Sequence, residues 1–187
     1  MIRAFIAFEI DDKHKRECDY LTLKGKKLFP KEIKWVDSEN LHVTFLFLGD
    51  IEQSDVSTIK DKLQTLSEKL PATSLKNGQL RWNSPFKPKT LWIEYTIDNA
   101  EFDAMRKEFI SDLKRELPYL KVDDKDYKCH LTLGRVKNKI NIEKWLLHEE
   151  LFRQDMSLNH ISLYQSTLHP QGPVYKNLAL ITLNGGT

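Results

Sequence analysis

The chain has 187 residues, of which 40% are hydrophobic and 30% charged, and this is typical of one soluble globular domain. Its formal net charge of +2 argues against non-specific coating of nucleic acid. No apolar run approaches the ~18 residues of a membrane span, and acidic residues stand where a signal peptide would be cleaved. Cys18 and Cys129 form no CxxC pattern, so neither a disulfide framework nor a zinc site is indicated. We expect one cytoplasmic domain over residues 1–187.

The first half of the chain alternates strands and helices. Residues 2–9 have the alternation of a strand, and 12–28 form a charged helix with Cys18 and Leu21 on its inner side. A strand follows at 41–48. The next segment, 52–69, has apolar residues at helical spacing and ends before a proline.

The second half continues in the same way. Strands are predicted near 73–82 and 90–97, and the proline-rich loop SPFKPK separates them. A second long helix covers 99–117, and a strand follows at 129–135. The chain ends with a short helix near 141–150 and strands at 156–167 and 174–183. The order of elements is neither a regular βαβ series nor a block of strands followed by a block of helices. We therefore predict an α+β fold with mainly antiparallel sheets covered on the outside by helices.

One short motif occurs in both halves of the chain. His42 and Thr44 lie in LHVTFLFLG, and His130 and Thr132 lie in CHLTLGR. Side chains two residues apart project from the same face of a strand, so each motif offers an imidazole beside a hydroxyl. Two such pairs facing one cleft would suit acid–base chemistry on a phosphate ester, since an unperturbed histidine has a pKa near 6.5.

Alternation also predicts which side of the first motif strand faces the cleft. It places His42 and Thr44 on a polar face, together with Leu46 and Leu48. The apolar face, which needs a covering helix layer, then carries Val43, Phe45 and Phe47.

In the second motif, Leu131 and Leu133 point inward and His130 points the opposite way. Strict alternation would bury the Arg135 guanidinium, which is costly. Gly134 allows the strand to end or to form a bulge that redirects the Arg135 side chain.

A single HxT is more often structural than catalytic, because histidine on a strand is commonly a hydrogen-bonded packing residue and threonine is a good strand former. Two copies with the same apolar back and a following glycine favour function. The other histidines have no matching partners: His14, His148, His160 and His169. The sequence has no HExxH and no carboxylate cluster, which disfavours metal catalysis.

Basic residues lie on both sides of the motifs. Arg81, Lys87 and Lys89 precede the strand at 90–97, and lysines bracket the second motif. Such residues are often only solvated faces, because exposed ion pairs contribute little free energy. Their position also favours attraction of a polyanion.

LHVTFLFLG and CHLTLGR resemble the paired motifs of the 2H phosphoesterase superfamily. The branch is the RNA 2′,3′-cyclic phosphodiesterases, also called the 2′-5′ RNA ligase family. The resemblance runs from IRAFIAFEI, through KWVDSENLHVTFLFLGD and SPFKPKTLWIEY, to ISLYQSTLHPQGPVYKNLALITL. It implies a two-lobed α+β fold with pseudo-two-fold duplication, in which two mainly antiparallel sheets form a V-shaped cleft with helices on the outer faces.

The resemblance also implies a reaction, the hydrolysis of RNA or nucleoside 2′,3′-cyclic phosphate ends to 2′-phosphates without a metal or cofactor. By motif position, His42 resembles the proton donor to the leaving 3′ oxygen and His130 the base that activates water. Thr44 and Thr132 resemble the hydroxyls that hold the phosphate oxygens, and Arg135 matches a basic position that favours the phosphate charge. Some family members also join or cleave 2′-5′ linkages in vitro. The residues alone do not decide which histidine is the acid.

Two alternatives remain open from the sequence. The cleft would bind RNA ends or nucleotides without turnover if aromatic side chains stack the bases; the candidates are Phe8, Trp35, Trp82, Trp92 and Tyr127. The same chemistry would also serve a small cyclic-phosphate metabolite, because the motifs contact only the phosphate. The expected partner is an RNA end or nucleotide carrying a 2′,3′-cyclic phosphate. We expect a monomer and no membrane partner.

Overall fold

The computed structural model describes residues 1–122, 125–143, 155–170 and 172–187. Its helices are α1 (Asp12–Leu28), α2 (Val56–Lys69) and α3 (Phe102–Glu116). Its strands are β1 (Ile2–Glu9), β2 (Ile33–Trp35), β3 (His42–Ile51), β4 (Thr73–Trp82), β5 (Thr90–Ile97), β6 (His130–Val136), β7 (Met156–Leu158), β8 (His160–His169) and β9 (Gly172–Thr182).

The strands form one sheet in the order β7-β4-β5-β6-β3-β1-β8-β9, with β2 also paired to β6. All registered pairings between these strands are antiparallel. The two motif strands, β3 and β6, meet at the centre through one registered pair, Val43 opposite Leu131. We call β3, β1, β8 and β9 the first half-sheet, and β6, β5, β4 and β7 with β2 the second half-sheet. The predicted α+β class with duplicated antiparallel sheets is confirmed, and the two predicted sheets join at this pair.

Among the described residues, α1, α2 and α3 cover one face of the sheet because each presents an apolar side to a shared core. On α1 the predicted inner residues Cys18 and Leu21 are buried, and on α3 Phe109 and Leu113 are buried. These side chains pack with strand residues such as Phe8, which is fully buried. Removal of this apolar surface from water is the main stabilising contribution to such a fold.

Both motif strands form a β-bulge at the residue after the threonine. Across β1 and β3, Ile6 pairs with Leu46 and Ala7 pairs with Thr44, so Phe45 is the extra residue. Across β5 and β6, Leu91 pairs with Gly134 and Trp92 pairs with Thr132, so Leu133 is the extra residue. A bulge reverses the alternation of side chains beyond it.

The bulges decide which side chains return to the open face. In the first motif the predicted faces of three residues are wrong, because the bulge at Phe45 buries Leu46 and Leu48 and turns Phe47 outward, 61% exposed. In the second motif the strand forms a bulge beside Gly134, which is one of the two outcomes expected there, and the Arg135 side chain is exposed.

Most predicted elements are confirmed, with differences at short segments. The strand β2 was not predicted, because three residues carry no usable periodicity. The helix expected from residue 52 begins as α2 at Val56, after a 3₁₀ turn at Gln53–Asp55. The strand expected over 156–167 is divided at Asn159 into β7 and β8. Most of the helix expected near 141–150 falls outside the described residues.

Gly134 is required where β2 packs on β6, and this generates a stability prediction. A Cβ at this position would lie 2.5 Å from Ile33 Cγ2 and 3.3 Å from Trp35 Cε3. We therefore expect Gly134→Ala to lower the free energy of unfolding by about 1–3 kcal/mol, as overpacking of a core does. Denaturant unfolding of both proteins measures this change. In an Ile33→Ala background the cost should shrink, because the clashing methyl group is gone, and an equal cost in both backgrounds would contradict the explanation.

Candidate active site

A cleft of about 270 Å³ lies on the open face where the two half-sheets meet. All five residues predicted for the site line it: His42, Thr44, His130, Thr132 and Arg135. The structure therefore brings together residues that are far apart in the chain. Their roles are a separate matter from their positions.

The antiparallel pairing of the motif strands arranges the two histidines and the two threonines in a diagonal pattern. Because Val43 lies opposite Leu131, the preceding His42 lies on the side of Thr132, and Thr44 lies on the side of His130. The two imidazoles thus occupy opposite corners of a four-residue array, and the two hydroxyls occupy the other corners.

The two histidines are oriented by the same kind of hydrogen bond. His42 Nδ1 lies 2.8 Å from the carbonyl oxygen of Asn40, and His130 Nδ1 lies 2.7 Å from that of Lys128. A carbonyl only accepts, so Nδ1 donates in each case and Nε2 is the nitrogen available to a ligand.

Aromatic rings pack against both imidazoles. The His42 ring centroid lies 4.9 Å from that of Phe5 and 5.4 Å from that of Tyr175. The His130 ring lies 4.5 Å from Trp92. These contacts restrict rotation of the imidazoles, so each Nε2 is held in one direction.

The hydroxyls and the guanidinium are unoccupied donors. Within the described part of the chain, the Thr44 and Thr132 hydroxyls and the Arg135 guanidinium form no hydrogen bond or ion pair. Three donors without internal partners in one cleft are suited to an anion such as a phosphate.

The electrostatics of the cleft act most clearly on His42. Burial lowers the pKa of His42 below its ordinary value, and the positive charges of His130 and Arg135 lower the pKa further. The hydrogen bond to the Asn40 carbonyl opposes these effects. His42 is therefore mainly neutral at pH 7 in the empty cleft.

Sequence reasoning missed several residues of the cleft. Phe47 follows His42 at the same interval at which Arg135 follows His130, but its face was assigned without the bulge. Tyr175 of β9 has no motif that would have indicated it. Asn40 contributes a backbone carbonyl, and the shared position before each histidine is the only signal for it.

The aromatic residues proposed for base stacking separate into three groups. Trp35 and Trp92 line the cleft and are placed to contact a ligand. Phe8 is fully buried, and the Tyr127 hydroxyl donates to the Thr44 carbonyl from the helix side, so these two cannot stack a base. Trp82 packs edge-on against Phe29.

The described residues offer no metal site of the usual kind. They contain no group of three or more His, Cys, Asp or Glu side chains placed to hold a metal ion. They also contain no helix long and apolar enough to cross a membrane.

Both cysteines, Cys18 and Cys129, are buried free thiols. Burial raises the pKa of each thiol to about 12.

Known proteins are similar to this chain in sequence and in fold. Residues 24–92 match the family model described as LigT like Phosphoesterase. The RNA 2′,3′-cyclic phosphodiesterase of Methanocaldococcus jannaschii is 30% identical, and the match covers 94% of this chain and 97% of the relative. The structure of TT0787 of Thermus thermophilus superposes with a TM-score of 0.80 at 21% identity, covering 98% and 99% of the two chains. E. coli LigT complexed with 3′-AMP gives a TM-score of 0.73 at 17% identity, covering 97% of each chain.

The sheet with its duplicated motif strands is thus the fold of a LigT-like phosphoesterase. The chain belongs to the RNA 2′,3′-cyclic phosphodiesterase family of 2H phosphoesterases. The resemblance inferred from the paired motifs is confirmed, and the protein is an enzyme of this family.

The charge coupling in the cleft generates a prediction about titration. Arg135→Gln removes one of the positive charges that lower the pKa of His42, so the pKa of His42 should rise. An NMR titration of the histidine side chains measures this shift directly. Arg81→Gln, a change on β4 outside the cleft lining, is the matched control and should leave the His42 titration unchanged. An unchanged His42 pKa in Arg135→Gln would show that the two groups are not coupled.

Proposed function

We propose that this enzyme opens 2′,3′-cyclic phosphate ends of RNA to 2′-phosphates, without a metal ion. The observation that carries the proposal is the diagonal array: both histidines, both threonines and Arg135 line one cleft, and the Nδ1 hydrogen bond of each histidine leaves its Nε2 available. Water must attack phosphorus in line with the departing ribose oxygen, so one proton is removed on one side and another is supplied on the opposite side. Imidazoles at opposite corners meet that requirement.

In the proposed reaction His130 Nε2 takes a proton from the attacking water, and the water oxygen forms the new bond to phosphorus. The bond from phosphorus to the 3′ oxygen breaks, and His42 Nε2 supplies the proton that this oxygen takes. The acid role requires His42 to be protonated. The negative charge of a bound cyclic phosphate favours the imidazolium and opposes the effect of burial.

Thr44, Thr132 and Arg135 are proposed to hold the non-bridging phosphate oxygens. Negative charge on these oxygens is stabilised best by donors that are already in position. Strain in the five-membered cyclic ester lowers the activation barrier that the protein has to overcome. Two proton-transfer groups and three hydrogen-bond donors are therefore a sufficient set of functional groups.

An RNA substrate is favoured over a small cyclic-phosphate metabolite by cations in and next to the cleft on the side of the second half-sheet. Lys34 is paired in register with Arg135, and the Lys89 carbonyl accepts a hydrogen bond of 2.8 Å from the Val136 amide. We call this surface the cationic rim; it comprises Lys34, Lys87, Lys89, Arg135 and Lys137. Lys87, Lys89 and Lys137 lie outside the cleft lining, so the rim offers cations to further phosphates of a longer substrate.

The loop that carries Lys87 and Lys89 also carries Phe86, whose side chain is 97% exposed. Proteins that bind single-stranded nucleic acid combine exposed aromatic rings with lysines, because bases stack on the rings while phosphates pair with the cations. This loop leads into Thr90, which lines the cleft.

A binding module without turnover is the second candidate, and Trp35 and Trp92 in the cleft lining are the observation that favours it. Turnover separates the two, since a module binds one equivalent and releases no product.

We further propose that residues 1–187 act as one two-lobed catalytic domain in the cytoplasm. We propose that this domain acts as a monomer, because one chain contributes all five residues of the site.

The proposed reaction is tested with the four nucleoside 2′,3′-cyclic phosphates and a short RNA bearing this end, in the presence of a chelator. We expect multiple turnovers to a 2′-phosphate product, identified by chromatography or phosphorus NMR. His42→Ala and His130→Ala should each abolish turnover, because each removes one proton-transfer group. Thr44→Ala or Thr132→Ala should slow turnover about 10- to 1000-fold, the usual cost of one lost oxyanion donor.

The control variants are His160→Ala and Thr167→Ala on β8, which remove the same side chains outside the cleft lining and should retain wild-type rates. Turnover in the His42→Ala/His130→Ala double variant would place the chemistry elsewhere. A 3′-phosphate product would contradict the proposed leaving group, and inactivation by the chelator would contradict metal independence.

The cationic rim generates a separate prediction about substrate length. The double variant Lys87→Gln/Lys89→Gln should raise KM for a cyclic-phosphate oligonucleotide and leave the mononucleotide reaction unchanged. The slope of log KM for the oligonucleotide against log salt concentration should also fall by about 0.7 per lost phosphate contact. Steady-state kinetics at several salt concentrations measure both effects.

Lys13→Gln/Lys60→Gln is the matched control, because it removes the same two charges from exposed positions on α1 and α2. It should leave the oligonucleotide KM at the wild-type value. Equal KM values for oligonucleotide and mononucleotide in the wild type would argue against a strand-binding role of the rim.

A further inference from the structure

Two side chains, the buried Arg106 and the partly buried Tyr127, contact the first motif strand β3 from the helix side. The Tyr127 hydroxyl donates to the Thr44 carbonyl at 2.6 Å, and Arg106 Nε donates to the Phe45 carbonyl at 3.1 Å. Arg106 lies on α3 and is only 5% exposed. Both donors come from the connection between β5 and β6, which leads into the second motif strand, and both contact the strand that carries the first motif.

The accepting carbonyls lie at the point where the motif strands separate. Thr44 and Phe45 directly follow Val43, whose pairing with Leu131 is the one registered contact between β3 and β6. Buried backbone carbonyls require donors. Because side chains supply them here, the two strands can diverge beyond the pair and leave room for a ligand on the open face.

The two donors also hold each other in place. The guanidinium carbon of Arg106 lies 4.9 Å from the centroid of the Tyr127 ring, and Arg106 Nη1 donates to the Lys125 carbonyl at 3.4 Å. The Tyr127 ring packs 5.3 Å from Phe102. Burial raises the pKa of the Tyr127 hydroxyl well above its usual range, so this hydroxyl stays protonated and remains a donor.

The residue after Tyr127 orients the second histidine. The Lys128 carbonyl accepts the hydrogen bond from His130 Nδ1 at 2.7 Å. One short segment therefore binds the backbone beside Thr44 and also sets the direction of the His130 imidazole. A displacement of Tyr127 relative to β3 would move His130 relative to His42.

From these contacts we propose that Tyr127 and Arg106 are positioning residues, which set the separation of the two imidazoles across the cleft. The kinetic consequence rests on the proposed function, but the geometric claim does not. Displacement of catalytic groups by about 1 Å costs on the order of 100-fold in rate. A hydroxyl behind the sheet can therefore control a reaction that takes place in front of it.

The principal test is Tyr127→Phe, which removes the hydroxyl and keeps the ring. We expect a folded protein whose kcat for a nucleoside 2′,3′-cyclic phosphate falls about 10- to 100-fold, with a much smaller change in KM. Tyr119→Phe is the matched control. The Tyr119 hydroxyl lies in the same connection between α3 and β6, but it bonds to Asp55 and to the Glu52 amide at the opposite end of β3 from His42. Its kcat should equal that of the wild type.

A second measurement reports the separation of the imidazoles without any turnover. In the wild-type background, His130→Ala should raise the pKa of His42, because the charge of His130 lowers it. In the Tyr127→Phe background this rise should be smaller, since the two rings are no longer held at the same separation. In the Tyr119→Phe background the rise should be as large as in the wild type. NMR titration of His42 in the six proteins gives the comparison.

A reduced effect of His130 on the pKa of His42, seen only in Tyr127→Phe, supports the positioning role. This holds even if neither the wild type nor any variant turns over the substrate; in that case the proposed function fails and the positioning role stands. Wild-type coupling in Tyr127→Phe overturns the positioning role, whatever happens to kcat. A loss of kcat equal in Tyr127→Phe and Tyr119→Phe also overturns it, because it indicates a general loss of stability. If Tyr127→Phe does not fold, Arg106→Lys, which keeps the charge and shortens the donor, is judged by the same two results.

Discussion

One residue pair, Val43 opposite Leu131, determines most of the geometry of the cleft. Both side chains are fully buried, so alternation directs the flanking histidines and threonines to the opposite, open face. The antiparallel direction of the pair then sets each histidine on the side of the other motif's threonine. An array with imidazoles at opposite corners follows from strand geometry, before any detail of a ligand is considered.

Duplication explains what the two motifs share, and the residues after the bulges explain how they differ. Each imidazole donates to a carbonyl at the same position before it, and each threonine is followed by the bulged residue. Beyond the bulge the first motif presents Phe47 and the second presents Arg135. One half-sheet thus offers an apolar ring and the other a cation, so a pseudo-symmetric frame yields a cleft with two chemically different sides. A nucleotide, with a base and a phosphate, has the matching asymmetry.

The sequence predicted the elements and the five cleft residues well because both depend on local periodicity. Strands 73–82 and 90–97 were predicted with the bounds of β4 and β5, and the paired HxT spacing located the cleft. Alternation failed at Phe47, because a bulge is a property of the strand pair and only Gly134 gave a local sign of one. Tyr175 and Arg106 were missed for a different reason. Their positions depend on how distant elements pack, and no spacing in the chain encodes that.

The lowered pKa of His42 fits its proposed acid role once the order of events is considered. Before substrate binds, burial and the charge of Arg135 favour the neutral imidazole of His42, and His130 adds to this effect when it is protonated. In the proposed reaction, an arriving phosphate anion screens these charges and stabilises the imidazolium, so the proton is taken up with the substrate. An acid of lowered intrinsic pKa then releases its proton readily to the leaving oxygen. In this proposal the positive charge of His42, unlike that of Arg135, forms only in the substrate complex, and this follows from placing a second histidine and an arginine around the same small cleft.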